Sequence, residues 1–183
     1  EEHYNLISAF IKSMRGSDPD AAIYYAMRML DSGENPRFIL RRMIIFAAED
    51  IGNADPAALG VAVNAMHAFE FVGLPEGIIP MGQAVTYLAT APKSNASYMA
   101  MKEAQRDVKE YGSLETPLHI RNAPTKLMES LGYGKDYKYP HDFEGHYVDE
   151  VYLPEKLKER RYYRPSDQGR EKEIGDRMKK KRR

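Results

Sequence analysis

The sequence predicts an all-α fold, and three observations carry that expectation. Apolar residues recur at helical spacing through the first 112 residues. Asp18-Pro19, Asn35-Pro36 and Asp55-Pro56 repeat one device, a capping side chain followed by a proline. That ring is tolerated in the first helical turn, where its missing N–H would be unpaired anyway. No stretch shows the sustained alternation of β-branched residues that marks strands.

The elements follow in order. Tyr4, Ile7, Ile11 and Met14 share one helical face, and Gly16 follows the expected end. Asp18-Pro19 opens a second helix that runs to Gly33, and Asn35-Pro36 opens a third. From Phe38 to Ala48 only Arg41 and Arg42 break the apolar run. After Asp55-Pro56, the polar side chains from Ala57 to Val72 are Asn64, His67 and Glu70. Helices apolar on nearly every face are buried or sandwiched. These two therefore point to a central core or an oligomer contact. Ala57, Ala58, Gly60, Ala62 and Ala65 would let a neighbouring helix come close. A further helix is expected from Pro75 to Ala91, its first turn weakened by Gly77 and Pro80. Ser94 or Asn95 caps one more, which ends at Gly112.

Past Gly112 the character changes. Tyr133, Tyr137, Tyr139, Tyr147, Tyr152, Tyr162 and Tyr163 fall within 31 residues, punctuated by Pro140, Pro154 and Pro165. So aromatic a stretch is expected to wrap over the helical body and dock by its rings. From Ser166 the apolar residues thin to Ile174 and Met178, so the end reads as a marginal or frayed helix. The expected division is a helical domain over 1–150 and a basic arm over 151–183.

Composition narrows the function. A chain of 183 residues buries roughly two-thirds of its unfolded surface and needs no covalent staple. There is no Cys, which excludes disulfides and Cys-based zinc or nucleophile sites. No apolar run approaches the roughly 20 residues of a membrane span. The start, Glu1-Glu2-His3-Tyr4, has neither an initiator Met nor a signal pattern, as expected of a fragment. Zero net charge hides an asymmetry. Residues 155–183 hold 13 Lys/Arg against 6 Asp/Glu, net +7, while residues 1–154 hold 14 against 21, net −7. A basic end of this kind touches nucleic acid or an acidic partner, or is simply solvated.

Four groups of residues are candidates for chemistry. No phosphate-binding Gly-x-x-x-x-Gly-Lys-Ser/Thr loop is present. Glu49-Asp50 sits where a helix ends, and its charges oppose the helix dipole. Arg41, Arg42 or Arg121 is the expected counter-ion, with Arg41 and Arg121 the preferred pair. A metal or acid/base site on Glu49, Asp50, His67 and Asp142 is the sharper alternative. It lacks ligands at one-face helical spacing, and His67 reads as a core histidine. Lys93-Ser94-Asn95 is either a plain cap or a helix N-terminus able to hold a phosphate. The segment with Arg121, Lys126, Tyr133, Lys135 and Tyr137, joined by Lys138, is either a packed flap or a surface of cations and rings for single strands. With Lys93 it is the candidate nucleic-acid or partner contact. The tail, Lys179-Lys180-Lys181-Arg182-Arg183, would bind non-specifically if at all.

Several stretches together carry a resemblance. They are Arg15-Gly16-Ser17-Asp18-Pro19-Asp20-Ala21-Ala22, Ala48-Glu49-Asp50-Ile51-Gly52-Asn53-Ala54-Asp55-Pro56 and Ala91-Pro92-Lys93-Ser94-Asn95. Arg121-Asn122-Ala123-Pro124-Thr125-Lys126-Leu127-Met128 follows, continuing to Gly132-Tyr133-Gly134. Tyr139-Pro140-His141-Asp142 and Arg161-Tyr162-Tyr163-Arg164-Pro165 complete the set. In this order they resemble the C-terminal domain of the RarA/MgsA family. That family comprises replication-associated recombination AAA+ ATPases related to the Werner-helicase-interacting protein of eukaryotes. The likeness covers nearly the whole chain and loosens over the last 15 or so residues.

The resemblance implies a helical domain similar to the clamp-loader collar, one that assembles a homotetramer. It implies an ATPase acting at stalled or gapped replication forks, with its ATP and Mg sites in a portion outside this chain. Association with single-stranded-DNA-binding protein and DNA is implied too, in the cytoplasm and at the nucleoid. No catalytic residue carries over. The rivals are a stand-alone DNA-binding module using the basic tail, and the metal-dependent hydrolase on the Glu49 set.

Overall fold

The computed structural model describes residues 1–181. The helices are α1 (Glu2–Arg15), α2 (Pro19–Asp31), α3 (Pro36–Phe46), α4 (Ala57–Val72), α5 (Ile78–Thr90), α6 (Ala96–Tyr111), α7 (Lys126–Ser130) and α8 (Glu171–Lys181). No strand occurs among the described residues. The caps work as their residue types require. The Asp18 carboxylate accepts from the Ala21 N–H at 2.9 Å, and Asn35 accepts from the Arg37 N–H at 2.9 Å. Of the two residues expected to cap α6, Ser94 supplies the side-chain oxygen, accepting from the Ala96 N–H at 3.2 Å.

The chain forms two compact units. One comprises Glu1–Ala100 and Tyr163–Asp176, the other Met101–Tyr162 and the residues from Arg177 onward. Residues 163–176 group with the helical body.

In the first unit α5 is central and packs against α1, α2, α3 and α4. It buries Met81, Ala84, Val85 and Leu88. Around it lie Phe10 and Met14 of α1, Ala26 and Met29 of α2, and Met43 and Phe46 of α3. Each large side chain buried here contributes about 1.5–3 kcal/mol. The inward face of α1 is Leu6, Phe10, Ile11 and Met14. Tyr4, expected on that face, is exposed instead. The apolar run of α3 is explained by the core, which takes Ile39, Leu40, Met43 and Phe46. For α4 the core takes only Ala58, Ala62, Ala65 and Phe69. Its small residues bring α5 close, and Leu59, Phe71 and Val72 are left outside. His67 is exposed, so it is not the expected core histidine.

A buried carboxylate closes this unit. Glu171 is 0% exposed. It accepts from Ser94 Oγ at 2.5 Å, from the Ser166 N–H at 2.8 Å and from the Tyr163 hydroxyl at 2.8 Å. Tyr163 in turn accepts from Asn53 Nδ2 at 3.2 Å. Burial works to raise the Glu171 pKa, but the bonds from Ser166, Ser94 and Tyr163 outweigh it and hold the group below its ordinary value. Just before it, the Arg170 N–H donates to the Ala54 carbonyl at 2.9 Å. Gly169, at φ +51°, lies so close that an added Cβ would sit 2.2 Å from that carbonyl. The end of the chain is thus an anchored helix through Lys181. Arg182 and Arg183 of the basic cluster lie outside the described residues.

The second unit is built from the C-terminal part of α6, short turns and α7. Leu157 is its buried hydrophobic residue. Asp107 gathers the turns, accepting from Arg160 Nε at 2.9 Å and from the Tyr162 hydroxyl. The Tyr162 bond holds the Asp107 carboxyl below its ordinary value, burial opposes it, and Arg160 adds to the lowering. The tyrosines are less docked than expected. Tyr162 is held by its hydroxyl, while Tyr137, Tyr139 and Tyr152 remain about half exposed.

Replacing Glu171 by Ala strands its donors, and urea unfolding should read a loss of about 2–4 kcal/mol. Because its folded pKa is depressed, the Glu171 contribution is fully present above the unfolded value. It is lost as pH falls through the folded one. The variant should lose that part of the acid dependence.

Candidate partner and nucleic-acid contact surface

Lys93 leaves the end of α5 in the first unit. Its Nζ donates to the Ala89 carbonyl at 3.0 Å, the Ala91 carbonyl at 2.5 Å and Ser17 Oγ at 3.2 Å. An ammonium has three N–H donors, so all are spent within the fold. Burial lowers its pKa, and the nearby Asp50 charge pulls it back up. The structure therefore gives Lys93 a capping role on the last carbonyls of α5. It is withdrawn from the contact set.

The remaining candidates lie in the second unit. Arg121 Nε donates to the Thr116 carbonyl at 2.6 Å, and the guanidinium carbon sits 4.9 Å from the Tyr133 ring centroid. These two fix one another, a cation on a ring face. Gly134, at φ +74°, donates its N–H to the Leu118 carbonyl at 2.8 Å and holds the turn against the neighbouring loop. Lys126 and Lys135 are exposed and have no ion pair among the described residues. Lys138 Nζ lies 3.5 Å from Glu150, and His119 Nε2 lies 3.6 Å from the same carboxylate. Lys135 borders a shallow groove of about 410 Å³ with His119, Asp136 and Glu150. The half-exposed Tyr137 follows in the same loop. Two ammonium groups without an ion pair among the described residues thus remain in this segment, Lys126 and Lys135, the latter two residues before the half-exposed Tyr137. Arg121 and Tyr133 are the segment's scaffold.

The Glu49-Asp50 pair has a different counter-ion from those expected. Arg15 Nε donates to Asp50 Oδ1 at 2.7 Å and Nη2 to Oδ2 at 3.2 Å, a two-pronged bond. Hydrogen bonding to Asp50 raises the Arg15 pKa, burial opposes this, and the Asp50 and Glu49 charges add to it. Arg41 makes no ion pair among the described residues. Arg121 serves Thr116 and Glu115. The physical reason is a π turn over Ala47–Ile51, which follows α3 and carries Asp50 to the end of α1. Among the described residues no group of three or more His, Asp or Glu is placed to hold a metal ion. The set of Glu49, Asp50, His67 and Asp142 therefore has no geometric support.

Sequence reasoning missed two buried carboxylates and left a third feature undecided between core and oligomer contact. Glu171 and Asp107 carry no local mark of their burial; Ser94, one of the donors to Glu171, lies 77 residues away, and Arg160, a donor to Asp107, lies 53 residues away. The third is the apolar end of α4 with the start of α5. Phe71 is 93% exposed, Ile79 70% and Leu74 63%. Its signal was the apolar run of α4, interrupted by Asn64, His67 and Glu70.

A family model described as MgsA AAA+ ATPase C terminal matches residues 16–182. The chain belongs to this family. Replication-associated recombination protein A of Coxiella burnetii is 52% identical over 179 residues, covering 97% of this chain and 41% of the relative. The protein of that name from Escherichia coli K12 is 47% identical over 179 residues, covering 97% of this chain and 40% of the relative. ATPase WRNIP1 of Dictyostelium discoideum is 44% identical over 161 residues, covering 87% of this chain and 18% of the relative. The chain thus spans about two fifths of the bacterial relatives' length. It corresponds to the C-terminal part of a AAA+ ATPase family. None of its described helices is long and apolar enough to cross a membrane.

A double-mutant cycle should assign the Asp50 partner. Arg15→Ala and Asp50→Ala should couple by about 0.5–1 kcal/mol in urea unfolding, as a partly exposed pair does. Arg41→Ala and Arg121→Ala should add to Asp50→Ala without coupling.

Proposed function

We propose that this chain assembles a homotetrameric AAA+ ATPase that acts in replication-fork maintenance, recombination and repair. The observation that carries the reading is the apolar surface of the first unit. Phe71, Val72, Leu74 and Ile79 stand exposed together where α4 gives way to α5. Contiguous apolar surface of this kind marks an interaction site. Closed symmetric assembly is the usual outcome when a chain meets its own copies. The names of the relatives support the replication and recombination setting. The comparison with a clamp-loader collar belongs to the same proposal.

In this reading the whole protein hydrolyses ATP in a DNA-dependent way. The residues present do not fit ATP or Mg, since the chain has no phosphate-binding loop. Those groups would be held by the remainder of the protein. Single-stranded-DNA-binding protein and DNA are the proposed partners, in the cytoplasm and at the nucleoid. The second unit would supply the DNA contact through Lys126, Lys135 and Tyr137.

Light scattering on the chain without ATP should return four times its 20.9 kDa mass. Phe71→Glu with Ile79→Glu should lower that mass while circular dichroism is unchanged. A monomeric wild type at micromolar concentration would defeat the assembly reading.

For the DNA contact, Lys126→Ala with Lys135→Ala should weaken oligothymidylate binding by the full protein. The slope of log affinity against log salt should fall by about 1–2, as expected when each ammonium meets one phosphate. Unchanged affinity and slope would move the contact elsewhere, to the basic tail or to the ATPase portion.

A further inference from the structure

A second surface in the first unit carries a charge that the fold leaves unanswered. A groove of about 590 Å³ runs along α1 and the first turns of α3. Its apolar lining comes from Tyr4, Ile7, Ile11 and Phe38. Tyr4 is 74% exposed. Its ring meets His3 edge-on at 5.4 Å, and His3 meets Phe38 at 5.2 Å.

The charged lining has one sign. Lys12, Arg15 and Arg42 border the groove, and no Asp or Glu does. That is a local reversal, because residues 1–154 carry a net charge of −7. Two neighbours are already answered from outside the groove, Arg15 by Asp50 and His3 by Glu34. Lys12 and Arg42 have no ion pair among the described residues. Arg42 goes further, since its Nε is buried without a hydrogen-bond partner. A guanidinium cannot shed its charge, and buried donors are nearly always paired. Its planar fork matches a carboxylate. The groove therefore sets positive charge without an ion pair beside apolar surface.

We propose that this groove docks an acidic peptide segment of a partner protein, one that carries a bulky apolar side chain among its carboxylates. The apolar side chain lies on Ile7, Ile11 and Phe38, under the Tyr4 ring. One carboxylate meets the Arg42 guanidinium, and a second meets Lys12. The volume suits one or two side chains. A single-stranded nucleic acid needs cations that track its backbone over several nucleotides. Here the free cations stop at Lys12 and Arg42. This inference goes beyond the assembly reading and does not depend on it.

The test is fluorescence polarisation on the chain in its native assembly. The probe is a fluorescein-labelled peptide, a run of aspartates followed by leucine and phenylalanine. Saturable, salt-sensitive binding is expected, weakened about thirtyfold by Arg42→Glu, as for a central charged anchor. Because Arg42 is partly buried, Lys12→Glu and Tyr4→Ala serve as exposed variants, each expected to weaken binding about tenfold with the circular dichroism melt unchanged. A peptide with alanines in place of leucine and phenylalanine should bind more weakly than the probe. Three results overturn the proposal. The first is no binding, or equal binding by wild type and the Lys12 and Tyr4 variants. The second is displacement of the peptide by oligothymidylate in the wild type but not in the Lys12 variant, which makes the groove a nucleic-acid site. The third is a lower assembled mass for Lys12→Glu, which makes it a contact between copies.

Discussion

Glu171 is the group on which the first unit's closure depends. A carboxylate with no exposure to water is tolerable only if its oxygens are fully occupied by donors. Those donors come from the α5–α6 turn through Ser94 and from the returning segment through Tyr163 and Ser166. The requirement fixes several positions at once. Ser94 must turn its hydroxyl inward while still capping α6. The chain at Gly169 must pass against Ala54, where a side chain has no room. A segment poor in apolar residues is held in place by polar satisfaction, because it has little hydrophobic surface to bury.

The same economy governs the cations of the first unit. Lys93 is spent on the end of α5, and Arg15 on the π turn after α3. Some of the positive charge that looks available in the sequence is thus structural. Among the cations without an ion pair in the described residues, Lys126 and Lys135 stand on one unit, and Lys12 and Arg42 border a groove on the other. Free cations beside exposed rings are where this chain can meet something else, and the two places differ in kind. One is an open loop surface, the other an apolar groove with a buried, unpaired donor.

Exposed apolar residues tell a parallel story. The α3 helix gives the core four large side chains, Ile39, Leu40, Met43 and Phe46, whereas α4 gives it three alanines and Phe69. The alanines of α4 bury against the core but contribute little area, and Leu59, Phe71 and Val72 face out. That leftover surface is what an assembly would cover, and membership of a AAA+ ATPase family gives it a setting.

The sequence by itself determined the helical class, the helix starts at Pro19 and Pro36, the extent of α4 and the family. Those features are local: a cap, a proline, an apolar period or an ordered set of motifs can be recognised without knowing what packs on what. Arg121, Tyr133, Lys126 and Lys135 were legible as one segment, though not the division of labour among them. The tertiary structure alone decided which charges were free. Asp50 found Arg15 rather than Arg41 or Arg121 because a π turn redirected it. Lys93 turned out to be a cap because the carbonyls at the end of α5 lay within its reach. Arg42 proved to have no ion pair among the described residues, and no Asp or Glu lines the groove it borders. A charged side chain's role depends on which groups reach it through space, and sequence distance does not encode that.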